Sequence, residues 1–317
     1  MSRSDEVVGR IGPKGVIRQS VTATPPDGGL RFASPPYKNP ELSPEAVLGR
    51  IGRENFPVAL RWLPRALRRD LIAIYGAARL IDEAGDAARG DRAALLDELE
   101  RDLLAAFAGA ARHPLMRRLT PLAAAHGLAP DPFLRLIAAN RFDQNAPDLA
   151  SWEALVDYCR LSAQPVGELV LRVFGQASDE NRRDSDAVCT ALQVLEHCQD
   201  VAEDARAGRC YLPADDRARE GVTAWDLMAA PAPEGLRRCI GLQVERARAL
   251  LARGDALCAR LHGLARPVVA GYAAGGWATA AALERADFDP NSRPVRPRRI
   301  ATLRHALRVA WGRRGRP

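Results

Sequence analysis

The sequence predicts an all-α fold, on three observations. Ala, Leu and Arg dominate while Val, Ile, Thr and aromatic residues are sparse, so helix formers outnumber strand formers. Apolar residues recur at helical spacing, most clearly at Leu67, Leu71, Ile74, Ala78 and Ile81, and no segment alternates with the period of a strand. The chain is 317 residues long and 47% hydrophobic, ample for a large core between packed helices.

Residues 1–42 carry many Pro, Gly and Ser residues and little periodicity, and read as a flexible leader. Ser43-Pro44-Glu45 reads as a helix start, with Ser as N-cap and Pro at the first helical position. The 64–88 stretch is a helix with the apolar stripe named above. Further helices are expected over 91–110, 114–126, 130–144, 151–174, 178–206, 223–229, 233–263, 265–284 and 298–311. No repeat of fixed period occurs and no long linker divides residues 43–311, which read as one helical domain followed by a basic tail at 312–317. The longest apolar stretch, Val268 to Leu283, is interrupted by Gly271, Gly275 and Gly276; it reads as a buried helix, being too short and too glycine-rich for a membrane span.

The net charge of +7 comes almost entirely from Arg spread along the chain. One cluster, Arg293, Arg296, Arg298, Arg299, Arg304 and Arg308, precedes Arg313, Arg314 and Arg316. It comes with no zinc-finger spacing and no aromatic RNA-binding motif, so no nucleic-acid partner is expected. It reads first as a solvated tail and second as a peripheral contact with anionic lipid. Six cysteines, at 159, 189, 198, 210, 239 and 258, form no CxxC pair and match no zinc site. Free thiols suit a reducing compartment, and the N-terminus lacks a signal peptide's apolar core, so a cytoplasmic location is expected, with membrane association open. The early GRIGPKG lacks phosphate-loop spacing and reads as a turn.

Two acidic constellations carry the chemistry. Tyr75, Arg79, Asp82 and Asp86 step by four, three and four along the 64–88 helix and share one face, with Glu83 beside them. Carboxylates one turn apart suit a hard divalent cation such as Mg²⁺, which also takes water and phosphate oxygens. Arg79 is placed to meet such a phosphate. A lone DExxD is more often a solvated helix face; the Tyr and Arg on the same stripe weigh against that reading. In LQVLEHCQDVAEDARAGRCYLP, Gln193, Glu196 or His197, Asp200 and Asp204 again share a face, and Arg209 and Tyr211 follow where the helix ends near Gly208. His197 and Cys198 read individually as packed residues, and Tyr158 and Phe56 as ordinary aromatics.

ENFPVALRWLPRALRRDLIAIYGAARLIDEAGD, DYCRLSAQPVGELVLRVFG and ALQVLEHCQDVAEDARAGRCYLP resemble, in order and spacing, the three signature regions of the squalene/phytoene synthase family. The resemblance covers about residues 45–300 and implies a single-domain isoprenoid synthase helical bundle around a central cavity. It places Asp82, Glu83, Asp86, Asp200 and Asp204 at Mg²⁺-binding positions. It places Phe56, Tyr75, Arg79, Gln193, Arg209 and Tyr211 at substrate or diphosphate contacts, and Tyr158 at a proton-handling or cation-stabilising position. Glu83 stands where the family usually has Asp. Glu196 and Gln199 stand where its second motif commonly has Asn and Arg. The Gln-Asp pairing is similar to the bacterial hopanoid-pathway branch of the family. That branch ionises presqualene diphosphate and captures the cation with water to give hydroxysqualene and diphosphate, and Gln199, with Glu196 or His197, is expected to position that water. The resemblance thus implies a Mg²⁺-dependent carbon–oxygen lyase with a prenyl diphosphate substrate, working beside other enzymes of squalene and hopanoid synthesis. The alternatives are a head-to-head synthase joining two C15 or C20 diphosphates and a non-catalytic helical assembly protein; the retained aspartates argue against the latter.

Overall fold

The first helix begins where its cap was expected. Ser43 Oγ accepts the Ala46 amide at 3.2 Å and Pro44 opens α1 (Pro44–Leu48). The computed structural model describes residues 39–51, 62–86 and 90–296, which all fall in one compact unit, Pro36–Pro317. Pro40–Leu42 form a 3-10 turn, Leu42 is buried, and its carbonyl meets His113 Nε2 at 3.0 Å. Phe56 and the helix expected over 298–311, with most of the basic cluster, lie outside the described residues.

The described residues fold into helices and no named strand; the one β-bridge joins Asp148 to Cys210. The long stripe helix is α2 (Arg65–Asp86), followed by α3 (Arg92–Phe107). The 114–126 segment divides into α4 (Pro114–Arg117) and α5 (Leu119–His126), because Pro121 has no N–H to continue the first helix and is tolerated only in the first turn of the second. Next come α6 (Asp131–Asp143), α7 (Trp152–Ser162) and α8 (Gln164–Val173). The last two were expected as one helix; Pro165 breaks it at Ala163 for the same reason. The segment expected over 178–206 is α9 (Asp179–Gln199) and α10 (Val201–Arg206), bent at Asp200, a weak helix former. A short α11 (Ala214–Arg219) was not anticipated, and 223–229 holds only a 3-10 turn, Asp226–Met228. The 233–263 helix breaks beside Gly254 into α12 (Glu234–Leu251) and α13 (Arg253–Arg260), and α14 (Ala265–Arg285) closes the order.

α9 is the central rod, packed against α7, α8, α12, α13 and α14, while α2 packs against α3, α6 and α8. Two apolar clusters follow from this. One gathers around α2 through Leu71, Ile74, Leu80, Ile81, Phe133 and Ile137. The other gathers around α9 through Val188, Val194, Leu195, Ile240 and Leu283. The apolar stretch of α14 is buried in the core, as expected, and no described helix is long and apolar enough to cross a membrane. All six cysteines are free thiols.

Candidate active site

Between α2 and α9 the interior opens into two joined chambers. The apolar one is lined from α2 by Leu71, Ile74 and Tyr75, from α8 by Val166 and Val170, from α9 by Val188 and Leu192, and from α14 by Val269 and Tyr272. The polar one is lined by Asp82 and Asp86 of α2, Asn140 and Asp143 of α6, Tyr158 of α7, His197 of α9, Asp200, Glu203 and Asp204 at the α9–α10 bend, and Arg209 and Tyr211 beyond it. Five residues border both: Arg79, Asp82, Ser162, Gln193 and Glu196. They form the neck where charge gives way to hydrocarbon.

The stripe logic of α2 explains the split. Ala77, Leu80, Ile81 and Ala84 are buried in the core, while Tyr75, Arg79, Asp82 and Asp86, on the other side of the helix, face the chambers. Glu83 corrects the expectation. It follows Asp82 by one residue, so its side chain leaves the helix about 100° away and lines neither chamber. Glu83 is buried, with Arg79 Nη2 at 2.7 Å and Arg50 Nη2 at 2.8 Å. It anchors Arg79 from behind and is not placed to hold a cation in the chamber.

Gln199 is corrected on the same ground. Gln193, Glu196, His197, Asp200 and Asp204 fall on the chamber face, and position 199 turns away from it. The Gln199 amide donates to the Val295 carbonyl at 2.5 Å, tying the end of α9 to the segment after α14. It therefore does not hold a water in the cavity.

The polar chamber is cross-braced. Arg209 Nη1 meets Asp86 Oδ1 at 2.6 Å and Arg209 Nη2 meets Asp204 Oδ1 at 3.5 Å, so one guanidinium spans both acidic motifs. His197 stacks on Tyr211 with ring centroids 3.8 Å apart, and its Nδ1 lies 3.5 Å from Asp204 Oδ2. Its Nε2 is 3.2 Å from the Gln193 amide, so the histidine read as simply packed is both buried and part of the chamber wall.

Asp143 was missed. Tyr158 and Tyr211 each donate their hydroxyl to it, at 2.9 and 2.7 Å. Burial raises the Asp143 carboxyl above its ordinary range, against the two hydroxyl donors and Arg209. Burial and then the Asp143 charge push the Tyr158 hydroxyl far above its usual value, so it stays a protonated donor. A signal for Asp143 was present. Leu136, Ala139, Asn140 and Asp143 share one face of α6, and two polar residues on such a face call for an explanation. Tyr272 and Ser162 were also missed; neither belongs to an acidic motif.

The donor set fits a hard divalent cation. Seven carboxylates (Asp82, Asp86, Asp143, Glu196, Asp200, Glu203 and Asp204) face only two arginines, Arg79 and Arg209. Burial, then Asp204 and Glu203, raise the Asp200 carboxyl to about 6. Among the described residues no three acidic, thiol or imidazole groups already converge as a ligand cage. A cation such as Mg²⁺ takes one or two carboxylates and completes its shell with water and phosphate oxygens. The arrangement pairs an acid-rich chamber with an apolar one.

The comparisons with known proteins agree with this class. The squalene/phytoene synthase family matches residues 50–304. The chain is 34% identical to hydroxysqualene synthase of Zymomonas mobilis over 66% of this chain and 71% of that protein. It is 32% identical to presqualene diphosphate synthase of Rhodopseudomonas palustris over 67% of this chain and 77% of that one. The crystal structure of squalene synthase HpnC from Alicyclobacillus acidocaldarius superposes with a TM-score of 0.71 at 45% identity, covering 77% of this chain and 92% of that one. The chain belongs to the squalene/phytoene synthase family, with the all-α isoprenoid synthase fold. Members of that family are enzymes that process prenyl diphosphates.

Proposed function

We propose that this chain is a hydroxysqualene synthase, converting presqualene diphosphate and water to hydroxysqualene and diphosphate. The observation that carries the reading is the pair of joined chambers, acid-rich and apolar, meeting at a polar neck. The relatives named hydroxysqualene synthase support it.

The chemistry divides along the chambers. Arg79 and Arg209 bind the diphosphate oxygens as charge-assisted donors. Asp82, Asp86, Asp200 and Asp204 are the residues to hold Mg²⁺, which when bound offsets the charge that builds on the departing diphosphate. The apolar chamber takes the two prenyl arms and keeps bulk water from the cation. The carbon–oxygen bond breaks with its electron pair leaving on diphosphate. The cyclopropylcarbinyl cation rearranges and opens to an allylic cation. Tyr158 and Tyr211, whose hydroxyls Asp143 holds, stand on the wall of the polar chamber, where the aromatic ring of Tyr158 favours positive charge nearby. Water then adds its lone pair to carbon and gives up a proton to a carboxylate of the neck, Glu196.

The test is turnover by the purified protein of presqualene diphosphate with Mg²⁺ and no nicotinamide, read by mass analysis of the extract. Hydroxysqualene and diphosphate in equal amounts are expected. A second reading, head-to-head synthesis, is favoured by the similarity to a presqualene diphosphate synthase. Inert presqualene diphosphate, together with C30 or C40 products from farnesyl or geranylgeranyl diphosphate, would establish that reading instead.

A further inference from the structure

Capture of a carbocation by water poses a placement problem. One water must be held against the reacting carbon while all others are excluded. An apolar wall cannot hold it, and a water on a metal-binding carboxylate lies on the diphosphate side. The place that satisfies both demands is the neck, and among the described residues five border it on both sides.

Four of these are engaged within the protein, Glu196 among them. Arg79 is ion-paired with Glu83, Asp82 accepts the Asn140 amide at 3.3 Å, and Gln193 is bonded to His197. Ser162 differs. It is the last residue of α7, where Pro165 breaks the helix. Its Oγ is shut from solvent and has no hydrogen-bond partner among the described residues. A helical serine ordinarily folds its hydroxyl back onto the carbonyl four residues earlier. Ser162 does not use the Tyr158 carbonyl in this way. A buried hydroxyl left without a protein partner is a group expected to meet a ligand or an ordered water.

We propose that Ser162 holds the water that captures the cation and so determines that the product is an alcohol. The inference rests on the proposed hydroxysqualene synthase reading. The Ser162 hydroxyl is neutral, so it binds neither Mg²⁺ nor diphosphate strongly and leaves the water free to attack. Glu196, on the same neck, is the second polar contact and takes the proton as the new carbon–oxygen bond forms. Without the serine hydroxyl, the same cation gives up a proton from an adjacent carbon to the Glu196 carboxylate, the C–H electron pair becomes a carbon–carbon double bond, and the product leaves as a C30 hydrocarbon. The role that Gln199 cannot fill from its position on the Val295 carbonyl thus falls to a residue outside the acidic motifs.

The experiment measures alcohol formed per diphosphate released from presqualene diphosphate and Mg²⁺, for the wild type, Ser162→Ala and Ser162→Thr. The ratio is internal to each protein, so loss of fold or overall rate does not imitate the effect. A ratio at least tenfold lower in Ser162→Ala, with hydrocarbon making up the difference, and a near-wild-type ratio in Ser162→Thr, is the expected result. An unchanged ratio in Ser162→Ala overturns the proposal. So does an equal fall in Ala and Thr, because the hydroxyl is then not what matters. A wild type that forms no alcohol removes the functional reading beneath the proposal, and the wild-type arm alone reveals it.

Discussion

His113 shows how one side chain can make stability depend on pH. Its Nδ1 accepts the Leu115 amide at 3.1 Å, capping α4, and its Nε2 faces the Leu42 carbonyl at 3.0 Å. The accepting Nδ1 carries no proton, so Nε2 is the donor and the ring is neutral. Burial lowers its pKa below the ordinary 6.5, against the Leu42 bond and Asp102. As pH falls, the unfolded chain therefore takes up this proton first. The contribution of His113 is complete above about pH 6.5 and is lost as pH falls below it towards the lowered folded value. Replacing it with Asn keeps a capping side chain but loses the Leu42 tie. Thermal melts should show His113→Asn about 1 kcal/mol less stable at pH 7.5, with a shallower loss between pH 6.5 and 5 than the wild type. Equal slopes for the two proteins would mean that His113 is not the group responsible. Residue positions elsewhere were legible where helical phase decides them, as for Asp82, Asp86, Asp200 and Asp204, which line the polar chamber. Glu83 and Gln199 were misassigned because a motif names neighbours in sequence, whereas one step along a helix turns a side chain about 100°. Asp143 was hidden for a different reason: its partners, Tyr158 and Tyr211, lie 15 and 68 residues away.

The approach of α2 to α6 sets the shape of the polar chamber. Gly85 makes it possible. A Cβ there would stand 2.0 Å from Asn140 Oδ1 and 2.9 Å from Asn140 Cβ. Without one, Asn140 Nδ2 reaches Asp82 Oδ1 at 3.3 Å, and the Gln144 amide donates to the Gly85 carbonyl at 2.8 Å. Gly85→Ala must either rotate Asn140 off Asp82 or push the helices apart. The expected cost is about 1–3 kcal/mol by chemical denaturation, with a fall in kcat larger than the lost folded fraction explains. A variant with wild-type stability and kcat would show that the contact is not needed. At this scale most helices were legible, because the apolar period of 3.6 marks a buried face whatever it packs against. The divisions within expected helices were less so. Pro121 and Pro165 announce two of them, but the bend at Asp200, between α9 and α10, has no proline. Which glycine permits a close crossing was not legible at all, since Gly85 looks like any other helical glycine until α6 is beside it.

Across the whole molecule, the fold brings together two acid-rich helix ends that repel one another, and Arg209 is the main offset among the described residues. It spans from Asp86 on α2 to Asp204 on α10, while Asp200 sits with a raised pKa between Asp204 and Glu203. The halves of the bundle are thus held by apolar packing against a residual electrostatic cost at the mouth. That cost sets the expected response to ligands. Mg²⁺ alone meets carboxylates with few phosphate oxygens to complete its shell, and diphosphate alone meets a net negative chamber that disfavours it. Together they supply each other's missing charge, so the stabilisation should exceed the sum of the separate effects. In thermal melts, Mg²⁺ or diphosphate alone should each move Tm by about a degree or less. Both at saturating concentration should raise it by roughly 5 °C or more, corresponding to a few kcal/mol of linked binding. Asp82→Asn combined with Asp200→Asn should abolish the joint shift while raising the Tm of the unliganded protein, because removing like charge from the chamber wall relieves the repulsion that the ligands otherwise neutralise. Additive shifts in the wild type, or a joint shift that survives in the double variant, would place the cation site elsewhere.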